Sequence, residues 1–209
     1  MLTAKKFAPL LLVVFFSTVC YSQNADIDIL RKLNKNETAF KNFYLKGAAS
    51  SVSWFAIAAP AGIFAAGLQK HDKRLQKEAM YMAGSYLFTA LVTQGMKKII
   101  DRKRPFETLP FIIKRDNVDP GHSMPSGHTS SAFGLATALS LNHPKWYVIV
   151  PSYIWASSVA WARMYQGVHY PGDVIVGAIV GAGSSWIGHK VQQLLENKQE
   201  ASKAATAKF

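Results

Sequence analysis

The chain has 209 residues, a formal net charge of +12, 49% hydrophobic residues and only 17% charged ones. A chain this apolar, with 12% aromatics, has ample surface to bury, which excludes a disordered polyelectrolyte. The lone cysteine, Cys20, excludes an internal disulfide and any cysteine-based metal site, and the length fits one domain with a tail. The basic excess fits a solvated basic surface, a nucleic-acid stripe, or a protein that meets a membrane or an anionic substrate.

The first 22 residues read as an export signal. Lys5 and Lys6 precede an apolar run from Phe7 to Val19, and Ser17, Thr18 and Ser22 supply small or polar residues around a cut after Ser22. The run is short for a spanning helix, which needs about 20 residues, so an uncleaved first helix is the alternative. Residues 23–46 follow as an amphipathic segment. Ile27, Leu30, Leu33, Phe40, Phe43 and Tyr44 recur near helical spacing among Arg31, Lys32, Lys35 and Lys41, a pattern suited to the headgroup layer or to packing on a bundle.

Beyond this segment the chain is organised by windows without Asp, Glu, Lys or Arg. They run Gly47 to Gln69, Ala79 to Met96, Pro120 to Pro144, Trp146 to Ala162 and Val174 to His189. The first two, at 23 and 18 residues, are long enough to cross a bilayer and carry the main weight of a membrane assignment. The expectation is an all-α, membrane-embedded bundle of about five to six helices over residues 47–189, followed by a polar tail at 190–209. In the last window Gly177, Ala178, Gly181 and Ala182 provide the small surfaces that let helices approach closely.

Three motifs sit at the ends of these windows. Lys97 is followed after six residues by Arg104-Pro105, which places two cations at the end of an apolar helix. Pro125-Ser126-Gly127-His128 opens the next apolar run. Ser126 there is placed to cap, Gly127 lets a ligand approach the backbone, and the helix N-terminus offers N–H groups to an oxyanion. Arg163, five residues, His169, three residues and Asp173 form the third, with Pro171 at the start of the last helix. A carboxylate four positions after an imidazole can fix its tautomer and leave the other nitrogen free to attack, and the Arg163 fork suits phosphate oxygens.

In this order and at these boundaries the motifs resemble the type 2 phosphatidic acid phosphatase superfamily, PAP2. Ala162 departs from that pattern, which often has Ser there, but neither a nucleophile nor a cation is lost. The resemblance implies a phosphatase with a PAP2/acid phosphatase-like bundle. It implies His169 as nucleophile, Asp173 as its orienting carboxylate, and His128 as the acid that protonates the leaving oxygen and then activates water. Lys97, Arg104, Arg163, Ser126, Gly127 and His128 would bind phosphate. No carboxylate cluster accompanies the motifs, so the expectation is activity without a metal or other cofactor.

Alternate crossings bring all three motifs to one face. The Lys and Arg count does not orient the chain: 13 fall on that face and 9 on the other, or 10 and 9 without the three proposed ligands. The export signal places the active face outside, which in a bacterium means the inner membrane with the site toward the periplasm. The expected partner is a lipid phosphate in the membrane: undecaprenyl pyrophosphate, phosphatidic acid, phosphatidylglycerophosphate or a phosphate of lipid A. The loop Phe106 to Gly121 is expected to border the entrance, with Phe111, Ile112 and Ile113 touching lipid. A soluble secreted acid phosphatase, a vanadate haloperoxidase and a catalytically silent lipid-phosphate binder are the competing readings. The basic residues form no continuous stripe, so no nucleic-acid partner is expected.

Overall fold

A 16-residue helix, α5 (Gly127–Asn142), is the axle of the fold. The computed structural model describes residues 25–35 and 37–206, with side chains through residue 198, so the signal-like segment 1–22 lies outside the described residues. The other helices are α1 (residues 25–35), α2 (Ala39–Gln69), α3 (Lys73–Ile100), α4 (Pro105–Thr108), α6 (Trp146–Tyr165) and α7 (Pro171–Thr206). Helix α5 packs against α3, α6 and α7, and α2 closes the bundle against α3 and α6. No strand occurs among the described residues.

Local chemistry sets the boundaries. Thr38 and Asp72 cap α2 and α3, their side chains accepting from Lys41 N and from Arg74 N and Leu75 N respectively. The Thr38 cap also divides the stretch read as one amphipathic segment into α1 and the start of α2. Helix α1 turns Asp26, Leu30 and Asn34 inward, so it packs on the connections between the larger helices. Asn34 stitches it there: its amide donates to the Ile113 and Tyr165 carbonyls at 2.9 Å each, and its oxygen accepts from Ile113 N at 2.8 Å. Polar residues 190–206 extend α7 as a continuous helix.

The apolar surface points outward. Helices α2 and α7 contain windows long and apolar enough to cross a membrane, of mean hydropathy 1.6 and 1.3, yet those windows are only 22% and 28% buried. The core helix of a soluble protein would be mostly buried. At about 1.5 Å per residue the 31 residues of α2 reach roughly 46 Å, more than the hydrocarbon thickness of about 30 Å. Trp54, Ile57, Leu87, Leu91, Ile154 and Ile179 stand exposed on the outer faces, which a bilayer covers and water does not. The hydropathy test selects α7 in place of the second charge-free window, because in α3 Ser85, Thr89, Thr93 and Gln94 dilute the apolar residues.

The closest helix contact is between α5 and α7. Gly177 lies against the Ser126 backbone, and Gly181 lies against the Ser130 carbonyl and Gly134 N, with no room for a methyl group at either. Ser185 Oγ continues the seam by donating to the Gly134 carbonyl at 2.8 Å. Gly181→Ala therefore forces a methyl into the Ser130 carbonyl and is expected to cost about 1–3 kcal/mol, read as a lower thermal midpoint in detergent. Gly183→Ala, which meets nothing within 4 Å, is the control expected to hold or slightly raise that midpoint.

Candidate active site

The α5–α7 seam brings two helix N-termini together at one end of the bundle. Ser126 occupies the cap position of α5, and its N–H donates to the Asp173 carbonyl at 3.0 Å. Contrary to the sequence expectation, its hydroxyl makes no capping bond. It accepts from Thr129 Oγ1 at 3.0 Å instead, which leaves its own proton to donate toward an anion. Gly127 and His128 form the first residues of α5, where the amide groups have no partner within the helix and attract negative charge.

His169 lies in the turn between α6 and α7. Gly167 makes that turn at φ 73°, and a side chain there would overlap Ile112 and the Ile113 carbonyl. Asp173, in the first turn of α7, is fully buried. Its Oδ2 accepts from Tyr170 N at 2.9 Å and lies 3.6 Å from His169 Nδ1. The carboxylate favours the proton on Nδ1, so the lone pair is on Nε2, which is 3.4 Å from Arg104 Nη1. Burial pushes the His169 imidazole down to about 3, with the Arg163 and Arg104 charges acting the same way and Asp173 opposing them. His169 is thus neutral near pH 7, the state a nitrogen nucleophile needs.

The cations arrive from the other helix ends. Arg163 lies in the last turn of α6, 2% exposed, and its Nη1 donates to Asp116 Oδ2 and Gln166 Oε1, both at 2.7 Å. Arg104 precedes α4 and donates to the Val168 carbonyl at 3.1 Å. Lys97, in the last turn of α3, donates to the His122 carbonyl at 2.8 Å and so holds the loop before Ser126. Arg104 Nη1 reaches His169 Nε2 and Ser126 N–H bonds the Asp173 carbonyl, so the structure brings residues of all three motifs together. Among the described residues, Arg104 Nε, Arg163 Nε and His169 Nδ1 are buried at this site with no hydrogen-bond partner. Among those residues no group of three or more His, Cys, Asp or Glu is placed to hold a metal ion.

The sequence motifs did not reveal two further participants. Asp116 pairs with Arg163, and Arg102 Nη1 donates to Asp173 Oδ1 at 2.8 Å. Asp116 lies in a loop without motif, and Arg102 is hidden in the basic run from Lys97 to Arg104. In the 106–121 segment Phe111 and Ile113 are exposed, but Ile112, expected to touch lipid, turns inward and packs with Leu30 and Tyr170. Its contact with α1 joins residues some eighty positions apart and has no signature in the local sequence. A cavity of about 210 Å³ opens beside His128, lined also by Gly127, Thr93, Gln94, Ser131 and Ser53.

The chain is similar in sequence and in fold to known proteins. The family profile described as "PAP2 superfamily" matches residues 78–196. A lipid A 4'-phosphatase of Bacteroides thetaiotaomicron is 36% identical over 99 residues, which are 46% of this chain and 44% of that protein. An undecaprenyl-diphosphatase of Sulfolobus acidocaldarius is 26% identical over 188 residues, covering 88% of this chain and 87% of the relative. The crystal structure of a transmembrane PAP2-type phosphatidylglycerolphosphate phosphatase from Bacillus subtilis superposes with a TM-score of 0.71. It is 21% identical and covers 90% of this chain and 96% of its own, a likeness of fold.

Asp116 occupies the fork through which Arg163 would hold an oxyanion. Burial alone raises its carboxyl, but the Arg163 charge and hydrogen bond outweigh burial and hold it below the usual carboxylate range. It is therefore an ionised competitor at neutral pH. Asp116→Asn is expected to tighten inorganic phosphate binding by about 1 kcal/mol, roughly fivefold, measured by titration calorimetry. Unchanged affinity would mean that Arg163 need not exchange partners.

Proposed function

Because the chain belongs to the PAP2 superfamily, we propose that it hydrolyses the phosphate ester or pyrophosphate of a membrane lipid through a phosphohistidine at His169. The observation that carries this reading is the buried His169 side chain, with Nδ1 facing Asp173 and Nε2 facing Arg104. Phosphoryl transfer requires little covalent help from a protein beyond positioning and charge stabilisation. The site supplies both.

In the first step the His169 Nε2 lone pair attacks phosphorus, and the bond from phosphorus to the leaving oxygen breaks. His128 gives a proton to that oxygen. Arg104, Arg163 and Lys97, with the Ser126 hydroxyl and the α5 N-terminus, hold the equatorial oxygens as charge spreads over them. In the second step His128 accepts a proton from water, the water oxygen attacks phosphorus, and phosphate leaves as the nitrogen–phosphorus bond breaks. Asp173 stabilises the imidazolium that exists while His169 carries the phosphoryl group.

The lipid part of the proposal rests on the outward apolar faces of α2 and α7 and on the position of the site at one end of the bundle. A headgroup can reach His128 there while its tails stay in the bilayer. The relatives named for lipid A and undecaprenyl diphosphate support the class, and the substrate is to be chosen among the lipid phosphates named above. The active face is assigned to the outside of a bacterial inner membrane, on the strength of the export-like segment 1–22.

His169→Ala is expected to abolish phosphate release from a panel of phospholipid, polyprenyl and lipid A phosphates, and acid-quenched labelling should trap phosphoenzyme in the wild type alone. A labelled phosphoenzyme in His169→Ala would sink the assignment. Protease added outside sealed, right-side-out vesicles is expected to cut the 97–119 loop, and protection there would reverse the orientation.

A further inference from the structure

The catalytic carboxylate does not stand alone against His169. Asp173 Oδ1 receives Arg102 Nη1 at 2.8 Å, and Arg102 Nη2 donates to Asp26 Oδ2 at 3.1 Å. Asp26 belongs to α1, far from the three motifs in sequence, yet its residue is 5% exposed. Its second oxygen, Oδ1, accepts from Gly172 N at 3.0 Å, so α1 supplies a cap to the N-terminus of α7. A Cβ at Gly172 would come 3.0 Å from Asp26 Oδ2 and 3.5 Å from Arg102 Nη1, so the glycine gives this pair its room. The Arg102 guanidinium also stacks 3.9 Å over the Tyr170 ring, whose hydroxyl meets Thr108 Oγ1 at 2.6 Å. The row is therefore Asp26, Arg102, Asp173, His169, its first three members alternating in charge and the imidazole neutral, with every link drawn from a different segment of the chain except the last.

We propose that Asp26 and Arg102 are positioning residues, which hold the Asp173 carboxylate and set how much of its charge reaches His169. The physical reason is sharing. Arg102 neutralises part of Asp173 from the side opposite the imidazole, and Asp26 in turn draws the Arg102 charge away from Asp173. An arginine alone in this position would weaken the grip of Asp173 on the imidazolium. A carboxylate alone would raise the affinity of the imidazole for a proton and so lower the availability of the Nε2 lone pair. The pair keeps the balance between these extremes, and it makes α1 a working part of the site. A structural anchor for α1 alone would need no link to Asp173.

The inference rests on His169 as nucleophile, and its test separates the two ideas. The full-length chain in detergent is assayed with dioctanoyl phosphatidic acid, or with whichever member of the panel is turned over fastest. Phosphoenzyme trapped in the wild type and lost together with turnover in His169→Ala supports the nucleophile; turnover that survives in His169→Ala refutes that parent reading. The acid limb of kcat/KM is then followed in two variants. Arg102→Gln removes the competing cation and leaves the Asp173 charge to His169, so the limb is expected to move to higher pH by roughly one unit. Asp26→Asn keeps an oxygen for Gly172 N–H but frees the Arg102 charge, so the limb is expected to move the other way. Arg104 from the connection before α4, Arg163 from α6 with its partner Asp116, and His128 from α5 also surround this site, and they are unchanged in both variants. KM is expected to stay within about twofold, because neither residue touches substrate. The double variant should return the limb toward its wild-type position, since opposite charges are removed together. A fall in rate at every pH with the limb unmoved would reduce the pair to a structural clasp and overturn the proposal. An unaltered profile in Asp26→Asn would do the same, and that variant decides the matter even if Arg102→Gln fails to fold.

Discussion

Everything at the active end depends on how closely α5 and α7 approach. Gly177 and Gly181 bring the two backbones together over the first turns of both helices, where Ser126 N–H bonds the Asp173 carbonyl. This contact sets the N-terminus that offers amide groups to an oxyanion beside the N-terminus that carries the orienting carboxylate. In a membrane such contact cannot draw on the hydrophobic effect, because lipid tails are as apolar as leucine. Close van der Waals packing between small residues is what remains. The same glycines that let a bundle assemble in lipid thus also fix the distance between the α5 N-terminus and the His169–Asp173 pair.

Alternation of helix direction completes the electrostatics. Lys97 and Arg163 stand in the last turns of α3 and α6, where the partial negative charge of the helix C-terminus favours a cation. Gly127 and Asp173 stand in the first turns of α5 and α7, where the positive end favours an anion. One end of an up-and-down bundle therefore supplies fixed cations from one pair of helices and oriented amides from the other. Burying Arg163 almost completely would be costly without partners. Asp116 and Gln166 meet that cost at Nη1, while the Arg104 and Arg163 Nε groups make no hydrogen bond.

The parts of this arrangement legible in sequence were those with a short-range signature. Charge-free windows ending at Gln69, Met96, Pro144 and Ala162 gave the helices, since the chain turns polar within a few residues of the helix ends at Gln69, Ile100, Asn142 and Tyr165. Lys97, Arg104, Ser126, Gly127, His128, Arg163, His169 and Asp173 were readable because each stands at a fixed spacing from a helix terminus. Asp116, Arg102 and Asp26 had no such spacing. Each acts through a contact made across dozens of residues, with Asp26 and Asp173 joined only through Arg102. Ile112 was misread for the same reason: whether an apolar loop residue faces lipid or protein depends on α1, which arrives from the far end of the chain. The amphipathic pattern of residues 23–46 was real, but periodicity cannot show that Thr38 interrupts it.

The excess of positive charge takes on a different meaning once its location is known. The basic residues divide between exposed helix ends, where they are free to meet lipid phosphates, and a buried group that works at fixed distances. Fixed cations around a neutral imidazole lower that nitrogen's affinity for a proton, which keeps the nucleophile available but also weakens it. Asp173 counteracts the weakening by stabilising the positive charge that appears only after attack. In the proposed reaction, cations alone would bind phosphate and retain it, because nothing would offset their attraction for the bound anion. Asp116 on Arg163 supplies that offset, since it can take back the Arg163 fork as an anion leaves, and turnover then becomes compatible with tight recognition.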